Sequence, residues 1–190
     1  MGRWEPNARG RLVRAALDLF SEQGYDATSV AQIAERAGLT KTTFFRHFPD
    51  KREVLFAGQV MHGRLLAEGI AAAADSATPL EAVAAGLDAL TASFSPEQRA
   101  LGPRLQAVIA ANPELRERSA FKRAGLAVVM TEGLHGRGVP DPTATLAGEL
   151  GALAFHSAFA RWSEPANEQT YTELARQALA ELRTAATALG

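Results

Sequence analysis

The sequence predicts an all-α protein with a small amino-terminal head of three helices and a larger carboxy-terminal helical domain, about nine helices in total. Two observations carry this prediction. Apolar residues recur at i, i+3, i+4 and i+7, the spacing of one helix face, in successive segments. Prolines and glycines separate these segments, and no stretch shows the alternation of apolar and polar residues that is typical of a strand.

The first helix of the head is predicted from its apolar spacing and its end signals. Four residues share one face at i, i+3, i+4 and i+7: Val13, Ala16, Leu17 and Phe20. Asn7 is a suitable N-cap for this helix, and Gly24 is a suitable residue to end it.

The second and third helices of the head are predicted to be short. The second repeats the apolar spacing at four positions: Val30, Ile33, Ala34 and Ala37. Ser29 and Gln32 stand three residues apart at its start, as in a capping box. Gly38 ends this helix, and Thr40 can cap the third. Pro49 closes the third helix, because the residue before a proline disfavours the helical region.

A long fourth helix is predicted to bridge the head and the body. Asp50 and Glu53 form a second capping-box pattern, which would open a helix that runs toward Ile70. Beyond it five longer helices are predicted at about 79–93, 97–111, 113–135, 142–163 and 168–188, and Pro103 is expected to kink or divide the second of them. The predicted domains are residues 1–52 and 53–190.

Composition limits the class of protein. The chain is 47% hydrophobic and 22% charged, which is ordinary for a globular protein. The absence of cysteine excludes disulfides, zinc fingers and thiol catalysis. No run of about 18 apolar residues predicts a membrane span, and the first residues lack the apolar core of a secretory signal. A cytoplasmic protein is expected.

Charge is distributed unevenly along the chain. Residues 1–52 contain nine Lys and Arg against six Asp and Glu, while the remainder contains eleven against fifteen. A basic front on an acidic body indicates a polyanionic partner for the front alone, although a solvated surface explains the same asymmetry.

Enzymatic motifs are absent from the sequence. It contains no G-x-S-x-G, no P-loop and no H-E-x-x-H. The four histidines, at positions 47, 62, 135 and 156, show no metal-ligand spacing. We therefore expect no enzyme, no cofactor and no metal site.

Two short helices separated by the turn Ala37–Thr40 form a helix-turn-helix pattern. The second helix would be about 12 Å long, which suits a major groove that admits one helix. Phe44 and Phe48 stand four residues apart and would pack this helix into the head. The other faces carry groups suited to phosphates and base edges: Thr40, Lys41, Thr42, Thr43, Phe45, Arg46 and His47. A structural hairpin with a solvated face is the alternative.

The string ATSVAQIAERAGLTKTTFFRHFPDKREVLF, from Ala27 to Phe56, resembles the DNA-binding segment of the TetR family of transcriptional regulators. The lead-in LDLFSEQGYDATSV, the turn QIAERAGLT and the later TFFRHFPDKREVL occur in order, and the resemblance covers about residues 8–57. It implies a DNA operator as partner.

The resemblance also implies roles for single residues. The front of the recognition helix, Thr40 to Thr43, would contact bases and phosphates, and Arg46 and His47 would reach the DNA backbone. Lys51, at the start of the fourth helix, would bind a phosphate with help from the helix N-terminus, and Ser29 would touch another. For Ser29 a capping role alone, and for Thr43 a packing role alone, are the alternatives.

Two residues depart from the family pattern. Phe45 stands where the family usually has a tyrosine, so one hydrogen bond to a phosphate is in doubt. A phenyl ring can still contact a thymine methyl group or a sugar edge. Thr42 stands where a glycine is frequent, and its hydroxyl could read a base.

The last two helices are predicted to form a homodimer, chiefly because relatives pair these helices. The candidate interface residues are apolar over wide arcs: Leu146, Leu150, Leu153, Phe159, Trp162, Tyr171, Leu174, Ala178 and Leu182. Small residues of the eighth helix, such as Gly148 and Gly151, would permit close helix approach. Burial within one chain explains the same pattern.

The middle helices are expected to enclose a pocket for an apolar or amphipathic effector. The candidate lining residues, for each of which a core role is the alternative, are Met61, His62, Leu65, Phe94, Leu105, Val108, Met130, Phe155 and His156. TFFRHF and the later ANPELRERS also look like a TetR subgroup with acyl-CoA-like ligands. Its phosphates would then meet one or more of four arginines: Arg99, Arg104, Arg116 and Arg118.

The resemblance therefore implies a ligand-responsive transcription regulator. The simplest form is a repressor that binds a palindromic operator as a dimer and is released by a small effector; activation stays open. The alternative is a helical interaction protein that has lost specific DNA binding.

Overall fold

The computed structural model describes residues 7–189. This part of the chain folds into nine α-helices and one short 3₁₀ helix, which confirms the all-α prediction. The α-helices are α1 Ala8–Gln23, α2 Val30–Arg36, α3 Lys41–His47, α4 Gln59–Ala71, α5 Pro79–Thr91, α6 Pro96–Ala111, α7 Pro113–Gly136, α8 Thr143–Ser163 and α9 Tyr171–Ala188. The first six residues, on which the expected lack of a secretory signal partly rests, lie outside the described range.

The three helices of the head begin at the predicted caps. The Asn7 side chain accepts a hydrogen bond from the Gly10 amide at 3.0 Å, and Gly24 ends α1 with φ 88°. Ser29 and Gln32 form the capping box of α2, and the Thr40 hydroxyl accepts from the Thr43 amide at the start of α3. The core between these helices consists of buried apolar side chains: Leu12, Leu17, Phe20, Ile33, Phe44 and Phe48.

The predicted fourth helix is wrong in form. The Asp50 carboxylate does accept from the Glu53 amide at 3.1 Å, but the segment that follows is a 3₁₀ helix, Arg52–Phe56. Val54, Leu55 and Phe56 are buried one after another, whereas an α-helix on the surface of a domain buries only one face. Gly58 then adopts φ 101°, a conformation open to glycine, and α4 starts only after it.

The chain forms two compact units. The first unit takes the described residues up to Ala57 together with Arg104–Ser119, and the second takes Gly58–Pro103 together with the chain from Ala120 onward. The boundary between them falls inside α6, beside Pro103, and inside α7. The simpler division into residues 1–52 and 53–190 stays a prediction about domains. α6 is one helix through Pro103, so the proline does not divide it.

The second unit has its own hydrophobic core, which is formed by residues of α4, α5, α7, α8 and α9. An aromatic cluster lies toward the end of α8, where the Trp162 and Tyr171 rings stack with centroids 4.9 Å apart. The Tyr171 hydroxyl donates to the Phe155 carbonyl at 3.0 Å, and Arg99 of α6 donates to the Trp162 carbonyl at 2.8 Å. Side chain to backbone bonds of this kind hold the last turns of α8.

Within residues 7–189 none of the helices combines the length and the hydropathy that a membrane span requires.

Candidate nucleic-acid interface

Helix α3 has one buried face and several exposed ones. Phe44 is fully buried and Phe48 is 2% exposed, and their rings lie 5.5 Å apart. Because these two side chains fix one face of α3 in the core, the residues on its other faces point to solvent. Lys41, Thr42, Phe45 and Arg46 are exposed, as is the cap residue Thr40.

The front of α3 is ordered by its own hydroxyl groups. The Thr40 and Thr43 hydroxyl oxygens are 3.0 Å apart, and the Thr43 amide donates to Thr40 at 3.1 Å. Thr43 is half-buried, whereas Lys41 and Thr42 are exposed between them. Thr42 and Lys41 therefore present the most accessible polar groups at this end of the helix.

Phe45 is 48% exposed, so it is not a core residue. Its ring meets the edge of Phe44 with centroids 5.6 Å apart, and the Lys41 ammonium lies 5.9 Å from the ring centre. These two neighbours hold the ring on the accessible side of α3, where it can meet an apolar group such as a thymine methyl.

His47 is half-buried at the carboxy-terminal end of α3, and its Nε2 atom is buried without a hydrogen-bond partner. Burial lowers the pKa of His47, and the nearby charges of Arg46 and Arg9 lower it further. The imidazole is therefore neutral at neutral pH. Arg9 of α1 was not among the residues predicted from the sequence, because its place beside α3 follows only from the tertiary fold.

Lys51 makes contacts that the sequence did not predict. Its ammonium donates to the carbonyl oxygens of Tyr25 and Thr28 at 2.7 and 2.9 Å and lies 3.9 Å from the centre of the Tyr25 ring. These bonds use two of its three N–H groups and hold the loop that precedes Ser29. A phosphate contact by Lys51 stays a prediction, and a Lys51→Ala variant tests head stability as well as DNA contact.

Ser29 is exposed at the start of α2 and serves as its N-cap. The Ser29 hydroxyl lies 2.9 Å from the Gln32 side-chain oxygen, and the Ser29 amide donates to the same oxygen at 2.8 Å. The capping role is therefore present, and a contact with phosphate stays a prediction.

Residues distant in the sequence complete the first unit. Arg118 of α7 pairs with Glu53, and Arg104 of α6 pairs with Asp18 at 2.7 Å. Glu114 accepts from Arg52 at 3.3 Å and lies 3.5 Å from the Tyr25 hydroxyl. Burial and the Glu114 charge raise the pKa of Tyr25, which keeps the phenol neutral. These ion pairs join the described parts of α6 and α7 in the first unit to the three helices of the head.

The four arginines considered for acyl-CoA phosphates are engaged with protein groups. Arg104 and Arg118 form the ion pairs of the first unit. Arg116 donates to the Ala110 carbonyl at 2.8 Å, and Arg99 donates to carbonyls at the end of α8. An acyl-CoA contact by any of them would have to compete with these bonds.

The nine predicted effector residues are divided between the two units. Leu105 and Val108 belong to the first unit, and the other seven belong to the second. Met61 is exposed, whereas Met130 and Phe155 are buried and Leu65 is half-buried against the core. His62 stacks on Phe94 with centroids 5.2 Å apart, and Phe94 meets Phe155 at 6.0 Å.

Among the predicted effector residues, His156 has a strongly shifted pKa. Its Nε2 atom is buried without a hydrogen-bond partner. Burial, followed by the charge of Arg123, lowers the pKa of His156 to about 4. A neutral imidazole with one unpaired nitrogen is an available polar group in the second unit, but no contact in the described residues shows what it would bind.

An open cleft of about 520 Å³ lies elsewhere in the second unit, between α5, α8 and α9. None of the nine predicted effector residues lines it. Its walls combine apolar side chains such as Leu80, Leu146 and Leu179 with the cations of Arg176 and Arg183. Arg176 already forms a two-point ion pair with an aspartate of α5.

Four of the nine predicted dimer residues are buried in the chain's own core, and three more are half-buried against it. Trp162 of α8 is buried, and so are three residues of α9: Tyr171, Leu174 and Ala178. Leu182 of α9 is half-buried. Leu146 and Leu153 are 57% and 44% exposed, and Leu150 and Phe159 are half-buried. A Cβ on Gly148 would lie 2.7 Å from a backbone oxygen of α7, so this glycine serves packing within the chain.

Among residues 7–189 no group of three histidine, aspartate or glutamate side chains is arranged to hold a metal ion.

Comparison with known proteins places the head sequence in a family. The family described as "Bacterial regulatory proteins, tetR family" matches residues 12–57. The transcriptional regulator TcmR of Streptomyces glaucescens is 54% identical over 46 residues, which are 24% of this chain and 20% of TcmR. The transcriptional activator FasR of Mycolicibacterium smegmatis is 37% identical over 62 residues, 33% of this chain and 28% of FasR. The chain thus spans less than a third of the length of these curated relatives.

A similarity along the whole chain comes from a solved structure. FadR of Thermus thermophilus, a TetR-family transcriptional repressor in complex with lauroyl-CoA, is 26% identical, with 92% of each chain covered and a TM-score of 0.53. The order of motifs in the head, the helical architecture of both units and these matches agree with one another. Residues 12–57 therefore match the tetR family of bacterial regulatory proteins, and the chain along most of its length is similar to a solved TetR-family repressor.

Proposed function

We propose that this protein is a cytoplasmic DNA-binding transcription regulator whose α3 enters the major groove of an operator. The observation that carries the proposal is the two-sided character of α3. Buried Phe44 and Phe48 fix its orientation, and Lys41, Thr42 and Phe45 are exposed on its other faces. Side chains of this kind supply phosphate contacts, hydrogen bonds to base edges and an apolar contact for thymine. The match of residues 12–57 to the tetR family supports the same activity.

A homodimer is part of this proposal, because one head covers a single half-site and two heads read half-sites about 34–36 Å apart. The exposed Leu146 and Leu153 stand seven residues apart on α8, with half-buried Leu150 between them. They share one face of the helix and supply the accessible apolar surface that a second copy could cover. The apolar residues of α9 support the core of one chain instead.

Regulation by a small apolar or amphipathic effector in the second unit completes the proposal. The lauroyl-CoA complex of the Thermus relative supports an acyl-CoA-like compound as the first class to test. Release from DNA needs two states of the protein that the effector binds with different affinity. A 100-fold loss of operator affinity corresponds to about 2.7 kcal/mol of coupling. Repression is the simplest outcome; the relative FasR is described as an activator.

The test is to incubate the purified protein with fragmented host DNA at physiological salt and sequence the retained fragments. A recovered palindrome supports a dimeric, sequence-specific regulator. Lys41→Ala should weaken binding to that palindrome about tenfold, whereas Arg64→Gln, which removes an exposed charge from α4, should not. Retention without any sequence preference, or no retention, contradicts the proposal and favours a helical interaction protein. Lauroyl-CoA added to the complex then tests the effector class by release.

A further inference from the structure

We propose that Arg9 of α1 and Arg46 of α3 form a binding site for one backbone phosphate at the carboxy-terminal end of the recognition helix, with His47 between them. The proposal rests on the proposed DNA-binding function and adds to it a residue from a different helix. Arg9 lies 37 positions before Arg46 in the sequence, outside the helix-turn-helix pattern.

The position of Arg9 is set by an aromatic platform. Its guanidinium carbon lies 5.6 Å from the centre of the Phe48 ring. Phe48 is buried and belongs to the core of the first unit, so the platform itself is rigid. Arg9 is exposed. A guanidinium that stacks on a ring keeps its N–H donors in the plane, where they are available to a planar or tetrahedral oxyanion.

Arg9 and His47 both neighbour the Phe48 ring, and Arg46 directly precedes His47 in α3. In agreement with this, the charges of Arg46 and Arg9 each lower the pKa of the His47 imidazole. The His47 ring also neighbours Phe48, with centroids 6.4 Å apart. One arginine from α1 and one from α3 thus belong to the surroundings of the same histidine. With a neutral histidine between them, they present two positive charges to a single phosphate rather than three.

The placement of Arg9 is unfavourable for α1 by itself. The first turn of a helix favours acidic residues, because the helix dipole is positive at that end. The first turn of α1 contains no acidic residue and does contain Arg9. An anion bound between Arg9 and Arg46 would compensate this arrangement.

Neighbouring carboxylates of the first unit have partners of their own. Asp50 pairs with Arg52 at 3.1 Å, and Glu53 pairs with Arg118. Arg9 and Arg46 are both exposed, so their charges are accessible to a ligand in solution. A DNA phosphate is the ligand that fits, since flanks of a helix in the major groove meet the phosphodiester backbone.

The experiment compares Arg9→Gln with Arg36→Gln, a matched control that also removes one positive charge from the head surface. Arg36 is exposed on α2 and forms a two-point pair with Glu22. Dissociation constants are measured for the operator and for a random duplex between 50 and 300 mM salt. Thermal unfolding confirms that both variants fold.

Arg9→Gln should weaken binding to both duplexes by a similar factor, about five- to tenfold at 0.1 M salt. It should also reduce the slope of log K against log salt by about one for each bound head. Arg9→Lys should keep most of the slope, because it keeps the charge. Arg36→Gln should change neither quantity beyond a small nonspecific effect.

Equal slopes for the wild type, Arg9→Gln and Arg36→Gln would overturn this inference while leaving the DNA-binding function intact. A loss confined to the operator would also overturn it, because a phosphate contact acts on every sequence. A wild-type protein that binds neither duplex would refute the proposed function itself, and the phosphate site with it.

Discussion

The His156 imidazole, half-buried with an inaccessible Nε2 atom, should make the second unit sensitive to acid. Burial is the main reason that the pKa of His156 falls from 6.5 to about 4, and the charge of Arg123 adds to it. The unfolded chain therefore binds this proton at a higher pH than the folded chain. The free energy of unfolding is therefore unaffected by this group at neutral pH, and it decreases as the pH falls from about 6.5 toward 4.

The magnitude follows from the two pKa values. Between pH 7 and pH 5 the linkage relation gives a loss of about 2 kcal/mol from this single group. His156→Leu removes the titrating group and also the buried nitrogen that lacks a partner. Between pH 7 and pH 5 we expect the free energy of unfolding of this variant to fall by about 2 kcal/mol less than that of the wild type. At pH 7 the variant should be destabilised by at most about 1 kcal/mol relative to the wild type.

The assay is urea unfolding at pH 7 and pH 5, followed by far-ultraviolet circular dichroism. His135→Gln is the matched control, because His135 is an exposed histidine beside Asp141. Its pH dependence should equal that of the wild type. If the wild type and His156→Leu lose the same free energy of unfolding on acidification, the reasoning from burial is refuted.

Three further predictions concern packing, charge and the DNA face. Arg118→Gln should lower the free energy of unfolding by about 2 kcal/mol, because it removes the ion pair that Arg118 forms with the largely buried Glu53 carboxylate; urea unfolding checks this. Gly148→Ala should destabilise the protein by about 1–3 kcal/mol, since its Cβ would lie 2.7 Å from a backbone oxygen. In Gly125→Ala the Cβ would meet no atom within 4 Å, so this variant should be stabilised by up to about 1 kcal/mol. Thermal unfolding compares the two variants. Phe45→Tyr should keep operator affinity or raise it up to about fivefold through one phosphate hydrogen bond, and a tenfold loss in a titration would contradict that role.

Local interactions explain which parts of the head could be predicted. Asn7, Ser29 and Thr40 cap their helices through hydrogen bonds to residues three positions away. Such contacts depend only on nearby residues, so the sequence contains the necessary information. The orientation of α3 follows in the same way, because Phe44 and Phe48 share a face at a spacing of four.

The predicted fourth helix failed for a reason that local rules do not contain. Asp50 and Glu53 have capping-box spacing, and the first bond of that pattern forms. The burial of Val54, Leu55 and Phe56 in the head core, followed by the turn at Gly58, then outweighs local helix preference. The choice between helix and turn was decided by packing with residues far away in the sequence.

The predicted effector and dimer residues show the same limit. The sequence pattern of an apolar face on α8 or α9 is the same whether that face packs within the chain or against a partner. The structure places Tyr171 and Leu174 in the chain's own core and leaves Leu146 and Leu153 exposed. It also assigns Leu105 and Val108 to the first unit and the other seven predicted effector residues to the second.

By itself the sequence determined the helical class, the caps of the head and the polar face of α3, because each depends on residues within about one helical turn. Only the tertiary structure decided how distant charges are used. It joined Arg118 to Glu53 across 65 positions, directed Lys51 to the carbonyls of Tyr25 and Thr28, and placed Arg9 over Phe48. Nothing in the spacing of these residues identifies their partners, since such contacts form only when the core brings remote segments together.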